Sequence, residues 1–340
     1  MPALYRYSGP ATIHWGRGSI AQLTQEIGEG ARVALVTTRS LADGPVMSAV
    51  RAALMDRQAE PVVIIGQHAP EADVEAAVSA IAAAGARALV SLGGGSPIDA
   101  AKIVSVRLGG LPHVAVPTTL SAAELAAGAG YSDAAGNKVG LRDPAGMPRA
   151  AIYDPQLALH TPLELWLSTG IRSLDHAVEG FLSPGEHPYN DVLCLEAVRR
   201  LFDSLPRALS VPMDVEVRGQ NQLAAWLSYS LPASAVGLSH VMGKQIGARF
   251  GIPHGVTSCI LLPHVLGYRL ARQADRAEPL AAAMGGDPAV RVGELVLSLG
   301  LPRRLAPYGL NEDDLRSAAA ALAGPEHSIE DLASIYLAAL

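Results

Sequence analysis

The sequence predicts an α/β domain with a doubly wound parallel sheet, followed by a domain built of helices alone. Three observations carry that expectation. Short β-branched runs alternate with Ala-rich helical runs over the first half of the chain. A glycine triplet joins one of those strands to the helix after it. Strand signals then stop after Ala151-Ile-Tyr-Asp154, and helical periodicity takes over.

Residues 32–37 (RVALVT), 61–65 (PVVII), 88–92 (ALVSL) and 113–117 (HVAVP) are mainly apolar, as strands covered on both faces must be. Residues 44–57, 72–84 and 97–106 lie between them with apolar positions at helical spacing. Residues 128–143, rich in Gly, Asp and Asn, predict a hairpin or an excursion from the sheet. Thr161-Pro162 reads as a helix N-cap with Pro at the first helical position. From there to Leu340 the helical pattern is broken at Ser183-Pro184-Gly185, Pro212, Pro253, Gly285-Gly286 and Pro302. The boundary therefore falls between Asp154 and Thr161, giving domains of residues 1–157 and 158–340.

A chain of 340 residues holds two domains of ordinary size. It is 49% hydrophobic but only 4% aromatic, so its cores must be built from Ala, Val, Leu and Ile. A formal net charge of −6 argues against nucleic acid as a partner, because phosphate backbones select basic surfaces. Cys194 and Cys259 stand far apart in apolar contexts, which excludes a disulfide framework and fits a reducing compartment. The first residues show no basic segment leading into an apolar run, and the most apolar stretch, residues 257–266, is too short to span a bilayer. The expected setting is therefore soluble and cytoplasmic, with no membrane partner.

The strand ending in Leu92 runs into Gly93-Gly94-Gly95-Ser96-Pro97-Ile98-Asp99-Ala100-Ala101-Lys102. Glycines at a strand-to-helix turn leave no Cβ between backbone and ligand, so the first amides of the helix are free to meet an anion with the help of the helix dipole. Ser96 is placed to cap the helix or to donate to a phosphate. The segment also reads as a tight turn with no ligand, and neither a G-x-G-x-x-G nor a Walker loop occurs there.

Gly-Gly-Gly-Ser-x-x-Asp-x-x-Lys at 93–102 resembles the signature of the iron-containing alcohol dehydrogenases and their metal-free relatives. Further segments agree in order: Trp15-Gly-Arg-Gly18, Pro117-Thr-Thr119 followed by Glu124, Asp154-Pro155, His176-Ala-Val-Glu179, His187-Pro-x-x-Asp191, Gly237-Leu-Ser-His240, and Gly251-Ile-Pro-His-Gly255 leading to Leu262-Pro-His264. The resemblance covers nearly the whole chain and is greatest to the maleylacetate reductase branch. It implies a Rossmann-like N-terminal domain and a helical C-terminal domain, the dehydroquinate synthase-like architecture. A cleft between them would take a nicotinamide cofactor and a small oxo acid, and the assembly would be a homodimer. Carried over by residue, Gly94, Gly95 and Ser96 would hold the pyrophosphate, Thr118 and Thr119 would line the nicotinamide end, and Asp99 would face the cleft. Thr37 ends the first of the four strands, and Thr38-Arg39-Ser40 follows where NAD-preferring members often carry Asp. No carboxylate stands there, and Arg39 suits a 2′-phosphate, so NAD(H) and NADP(H) both remain open.

The metal site of the family does not carry over intact. His176, His240 and His254 keep the histidine positions, but the Asp four residues before the first His is Arg172. Positions 172 and 176 share a helix face, and a guanidinium is a permanent cation with no lone pair for a metal. No metal is therefore expected, and Arg172, His176, His240, His254 and Lys244 are the candidate catalytic residues. A protonated histidine would supply the second hydrogen, with Arg172 or a histidine meeting the enolate charge. Lys244, where the family often has His, suits a substrate carboxylate. Arg172 also reads as a partner of Asp175 on a solvated helix face, His176 alone as a buried structural histidine, and His254 as a helix cap. His187, His264 and the two cysteines read as structural. The expected reaction is maleylacetate to 3-oxoadipate. The alternatives are reduction of another ketone or aldehyde, a lyase of the dehydroquinate synthase type, and a cofactor-binding homologue that has lost catalysis.

Overall fold

The computed structural model describes residues 9–340 except 29, 56, 58, 135–137, 185–187 and 230–236. His187 lies outside the described residues. The chain divides into two compact units, one of residues 9–162 with Met213–Leu223, the other of Leu163–Pro212 with Ala224–Leu340.

The first unit contains β1 (Thr12–Trp15), α1 (Leu23–Glu26), β2 (Val33–Thr37), α2 (Pro45–Leu54), β3 (Ala59–Ile64), α3 (Glu71–Ala83), β4 (Ala88–Gly93), α4 (Gly95–Arg107), β5 (His113–Pro117), β6 (Gly128–Ser132), β7 (Lys138–Arg142), β8 (Ala150–Tyr153) and α5 (Pro155–Ala158). Six strands form one parallel sheet in the order β1-β8-β5-β4-β2-β3, and β6 pairs antiparallel with β7. Strand alternation sorts the side chains into two cores. Val33, Leu35, Val90, Leu92, Val114 and Val116 pack on one face against Val46, Met47, Val50 and Leu54 of α2. Ala34, Val36 and Leu89 pack on the other, against Val74, Ala77 and Ile81 of α3 and Ile103 and Val104 of α4. Burial of each such Val, Leu or Ile contributes about 1.5–3 kcal/mol, which is why the mainly apolar runs make two-sided strands.

The four central strands match their expected positions to within a residue or two. The excursion at 128–143 is the β6–β7 hairpin. Two strands add to them: β8, and β1, whose four residues hold the sheet edge beside β8. Helix α4 begins at Gly95, two residues earlier than its apolar pattern suggests.

The second unit is helical throughout its described residues: α6 (Leu163–Phe181), α7 (Pro188–Ser210), α9 (Leu238–Gly247), α10 (His254–Leu270), α11 (Ala277–Met284), α12 (Pro288–Ser298), α13 (Glu312–Leu322) and α14 (Ile329–Ala338), with α8 (Val215–Ser228) shared with the first unit. Met242, Ile246, Ile260, Leu261, Leu315, Leu332 and Tyr336 form the centre of one core. Gly255 fixes the crossing of α10 on α6, since a Cβ there would stand 2.8 Å from the backbone carbonyl of Ser168. No helix among the described residues is long and apolar enough to cross a membrane.

Candidate active site

The order of the central strands decides where an anion is met in the first unit. From β2 the chain moves outward to β3, then returns past β2 to β4, so the winding reverses between β2 and β4. In open α/β sheets ligands lie outside the carboxyl ends of the strands at such a switch point. Those ends are Thr37 with Arg39 after β2, and Gly93 to Ser96 after β4. Gly93 adopts φ +139°, and a Cβ there would meet the ring of Pro97 at 2.8 Å. At Gly94, the N-cap of α4, a Cβ would meet Thr119 at 3.0 Å, so the loop also packs closely on the segment after β5. A Cβ at Gly95 would make only ordinary contacts, the nearest at 3.7 Å to Ser121. The first amides of α4 have no partner within the helix and lie at its positive end.

Three side chains at this loop have partners within the fold. Ser96 makes no cap hydrogen bond; its Oγ accepts the backbone N–H of His68 at 3.0 Å. Asp99 has both oxygens engaged, one with Lys102 at 3.1 Å and one with the amide of Gly130 at 3.0 Å, so it anchors the hairpin. Thr37 donates its hydroxyl to the carbonyl of Leu92 at 2.9 Å and ties β2 to β4. Arg39 stands exposed on the turn after β2. Thr118 and Thr119 are buried behind the loop; the carbonyl of Thr118 accepts from Thr161 and the hydroxyl of Thr119 donates to Ser121 at 3.3 Å. Lys102, fully buried, donates to the carbonyls of Ala123 and Gly128 as well as to Asp99. Beside it, Glu124 accepts from Tyr153 at 2.5 Å, and burial raises its pKa.

In the second unit α6, α9 and α10 bring His176, His240 and His254 together. The ring centroids of His176 and His240 are 6.4 Å apart, and those of His240 and His254 are 6.0 Å apart. Tyr229 meets the His176 ring edge-on at 5.0 Å. Lys244, half-buried, follows His240 by one helical turn. His176 is buried, its Nδ1 without a hydrogen-bond partner, and its pKa lies well below the usual histidine range, first through burial and then through the charges of Arg172 and His254. The ring is therefore neutral at pH 7. His254 is the first residue of α10, and Pro253 rather than His254 occupies the cap.

Arg172 does pair with Asp175, but the solvated-surface reading fails. The guanidinium and the carboxylate are 2.7 Å apart, and their side chains are 7% and 0% exposed. Arg172 also donates to Ser258 at 3.0 Å. Asp175 accepts from Ser258 at 2.6 Å and from Ser239 at 3.1 Å. Burial raises its pKa, opposed by Arg172 and both hydroxyls. Glu179, one turn on, accepts the amide of Ser239 at 2.5 Å, and burial followed by the charge of Asp175 holds its pKa well above the usual range. Gly237 at the start of α9 has no room for a Cβ against that carboxylate.

One position of this donor set differs from what a divalent metal requires. Three imidazoles are at hand, but the fourth family position holds a fixed cation, and the nearby Asp175 gives its Oδ2 to Arg172 and two serines. Among the described residues no group of three or more His, Cys, Asp or Glu is arranged to hold a metal ion.

Cys194 and Cys259 are buried core residues, the thiol of Cys194 pushed by burial up to about 12 and that of Cys259 also raised. Sequence reasoning missed Tyr229, Ser239, Ser258 and the role of Glu179. Ser239 immediately precedes His240, Ser258 follows His254 by one turn, and Glu179 closes the motif that begins at His176.

Residues 10–155 match the iron-containing alcohol dehydrogenase family model, and residues 166–331 match its C-terminal counterpart. The chain belongs to the iron-containing alcohol dehydrogenase family, whose fold it shares, and is an NAD(P)-dependent oxidoreductase acting on a small molecule. Within that class it is 32% identical to a maleylacetate reductase of Sphingobium indicum over 319 residues, which cover 93% of this chain and 90% of the relative. The crystal structure of a maleylacetate reductase from Agrobacterium tumefaciens superposes with a TM-score of 0.88 at 29% identity, covering 100% of this chain and 99% of the other. A 1,3-propanediol oxidoreductase superposes at 0.93 with 22% identity, covering 99% and 100%, which shows the common fold alone.

Proposed function

We propose that this chain is a metal-independent maleylacetate reductase, reducing 4-oxohex-2-enedioate to 3-oxoadipate with NADH or NADPH. The observation that carries the reading is the buried Arg172–Asp175 pair in the family's metal-ligand position, with all three histidines retained around it. The named relatives favour the same substrate.

The amides at Gly94, Gly95 and Ser96 would hold the pyrophosphate, and Arg39 is the residue placed for a 2′-phosphate. A dinucleotide held there would supply the hydride that the alkene carbon β to the ketone takes up. Negative charge then develops on the ketone oxygen as the enolate forms. Without a Lewis acid it must be met by cations and N–H donors: the half-buried His240 and His254 supply the donors, and Lys244 holds a terminal carboxylate. His240 or His254, protonated, returns a proton to the carbon α to the ketone, completing addition of two hydrogens across the double bond. His176 is too weak a base for that step and serves as a neutral wall of the site. Arg172 acts through its partners rather than by direct contact, since Asp175 and Ser258 engage it.

Consumption of reduced nicotinamide on addition of maleylacetate, unchanged by prior treatment with a strong chelator, is the expected result. No consumption with either cofactor would refute the substrate. Activity abolished by the chelator and restored by zinc or iron would refute the metal-free chemistry.

A further inference from the structure

The three helices that each carry one histidine also each send one hydrogen bond to a single carboxylate oxygen. Helix α6, with His176, sends Arg172 to Oδ2 of Asp175 at 2.7 Å. Helix α9, with His240, sends the hydroxyl of Ser239, the residue immediately before that histidine, at 3.1 Å. Helix α10, with His254, sends the hydroxyl of Ser258, one turn further along, at 2.6 Å. Asp175 is wholly buried and lies on α6 one residue, about 100°, round from His176, so it ties the helices at one side of that histidine. Glu179 adds a second tie by accepting the amide of Ser239.

We infer that Asp175 is a positioning residue that sets the mutual placement of His176, His240 and His254, with Arg172 as its counter-ion. Buried polar groups that must be satisfied together specify one packing of the elements that carry them. A one-sided loss is costly because the remaining charge is stranded. Three helices meeting on one oxygen therefore cannot rotate or slide independently, and the imidazoles they carry are held at fixed separations. The arrangement also accounts for Arg172: it neutralises the carboxylate and reaches Ser258, so its two contacts both serve the tie. The inference deepens the reading above, on which its catalytic consequence rests.

Ser239→Ala cuts one tie, Ser258→Ala cuts its tie together with the second contact of Arg172, and both leave the ion pair in place, so both should fold. In the full-length protein labelled at histidine, the ring Cε1–H resonance of His240 should move or broaden in Ser239→Ala, and that of His254 in Ser258→Ala. With maleylacetate and NAD(P)H, kcat should fall about five- to tenfold in Ser239→Ala, the loss of one net hydrogen bond, and at least as far in Ser258→Ala, which loses two, while the KM for NAD(P)H stays unchanged. Asp175→Ala should disturb all three resonances; if it does not fold, the serine variants decide. Unmoved resonances in both serine variants would overturn the inference. Wild-type kcat beside a lowered melting temperature would also overturn it, leaving Asp175 a purely structural ion pair. If the resonances move while the wild-type protein turns over no oxo acid, the positioning role stands and the proposed substrate falls.

Discussion

Gly95→Ala separates the phosphate-binding role of the loop from its role in the fold. The alanine Cβ would have its nearest neighbours at 3.7 Å from Ser121 and 3.9 Å from Ala123, ordinary van der Waals distances. Gly95 is the first residue of α4 and lies outside the left-handed backbone region, so alanine is tolerated and its helix preference offsets some cost. Thermal stability should change by less than about 0.5 kcal/mol, as for a neutral substitution. A dinucleotide pyrophosphate sits against the first amides of such a helix, and a methyl group there lengthens those hydrogen bonds. Loss of one to two charge-assisted bonds weakens binding by roughly 2 kcal/mol, on the order of thirtyfold in Kd. The assay is fluorescence titration with NADH and NADPH, run beside a thermal melt. Gly93→Ala is the control with the opposite signature: φ +139° and the Pro97 contact at 2.8 Å predict loss of the fold's stability rather than of affinity alone. Wild-type affinity in a folded Gly95→Ala protein would refute the loop assignment.

Lys244→Met should raise the KM for maleylacetate roughly tenfold, about 1.4 kcal/mol for one charge-assisted contact, with Kd for NAD(P)H unchanged; steady-state kinetics decide. Gly255→Ala should destabilise the protein by about 1–3 kcal/mol in denaturant unfolding, because the added methyl meets the Ser168 backbone, which cannot rotate away. His113 provides the pH test: buried beside Ser91 and near Lys102, it has its pKa lowered to about 3, first by burial and then by the lysine charge. The unfolded chain takes up a proton below its ordinary value of 6.5 that the fold refuses. Stability attributable to His113 is thus present above that value and lost as pH falls toward 3, by at most about 4–5 kcal/mol. His113→Gln should flatten that part of the stability curve, and an identical curve would refute the assignment.

Much of the first unit was legible because β2, β4 and β5 are buried along their whole length, so their apolar runs carry the signal directly. Strand β1 was not legible. Its four residues are half exposed, and it becomes a strand only by pairing with β8, far along the chain. The Gly93–Ser96 turn was readable as backbone chemistry, but the partners of Ser96 and Asp99 come from His68 and the hairpin, segments no local pattern links to it. The spacing of Arg172 and Asp175 announced their ion pair. Its burial was hidden because α6 is enclosed on nearly every side from Trp166 to Phe181, which helical periodicity does not register. Ser239 and Ser258 are ordinary residues whose importance arises only where α9 and α10 cross α6.

Lys102 has a consequence for how the first unit breathes. Its ammonium spends its three protons on Asp99, the carbonyl of Ala123 and the carbonyl of Gly128, and Asp99 in turn holds the amide of Gly130. The helix behind the phosphate loop, the turn at Ala123 to Leu125 and the root of the hairpin are thereby stitched into one opening unit. The Gly130 amide is thus held by a carboxylate that Lys102 in turn holds in place. Cofactor that steadies the start of α4 should therefore slow hydrogen exchange at Gly130, making a hairpin amide a remote reporter of occupancy.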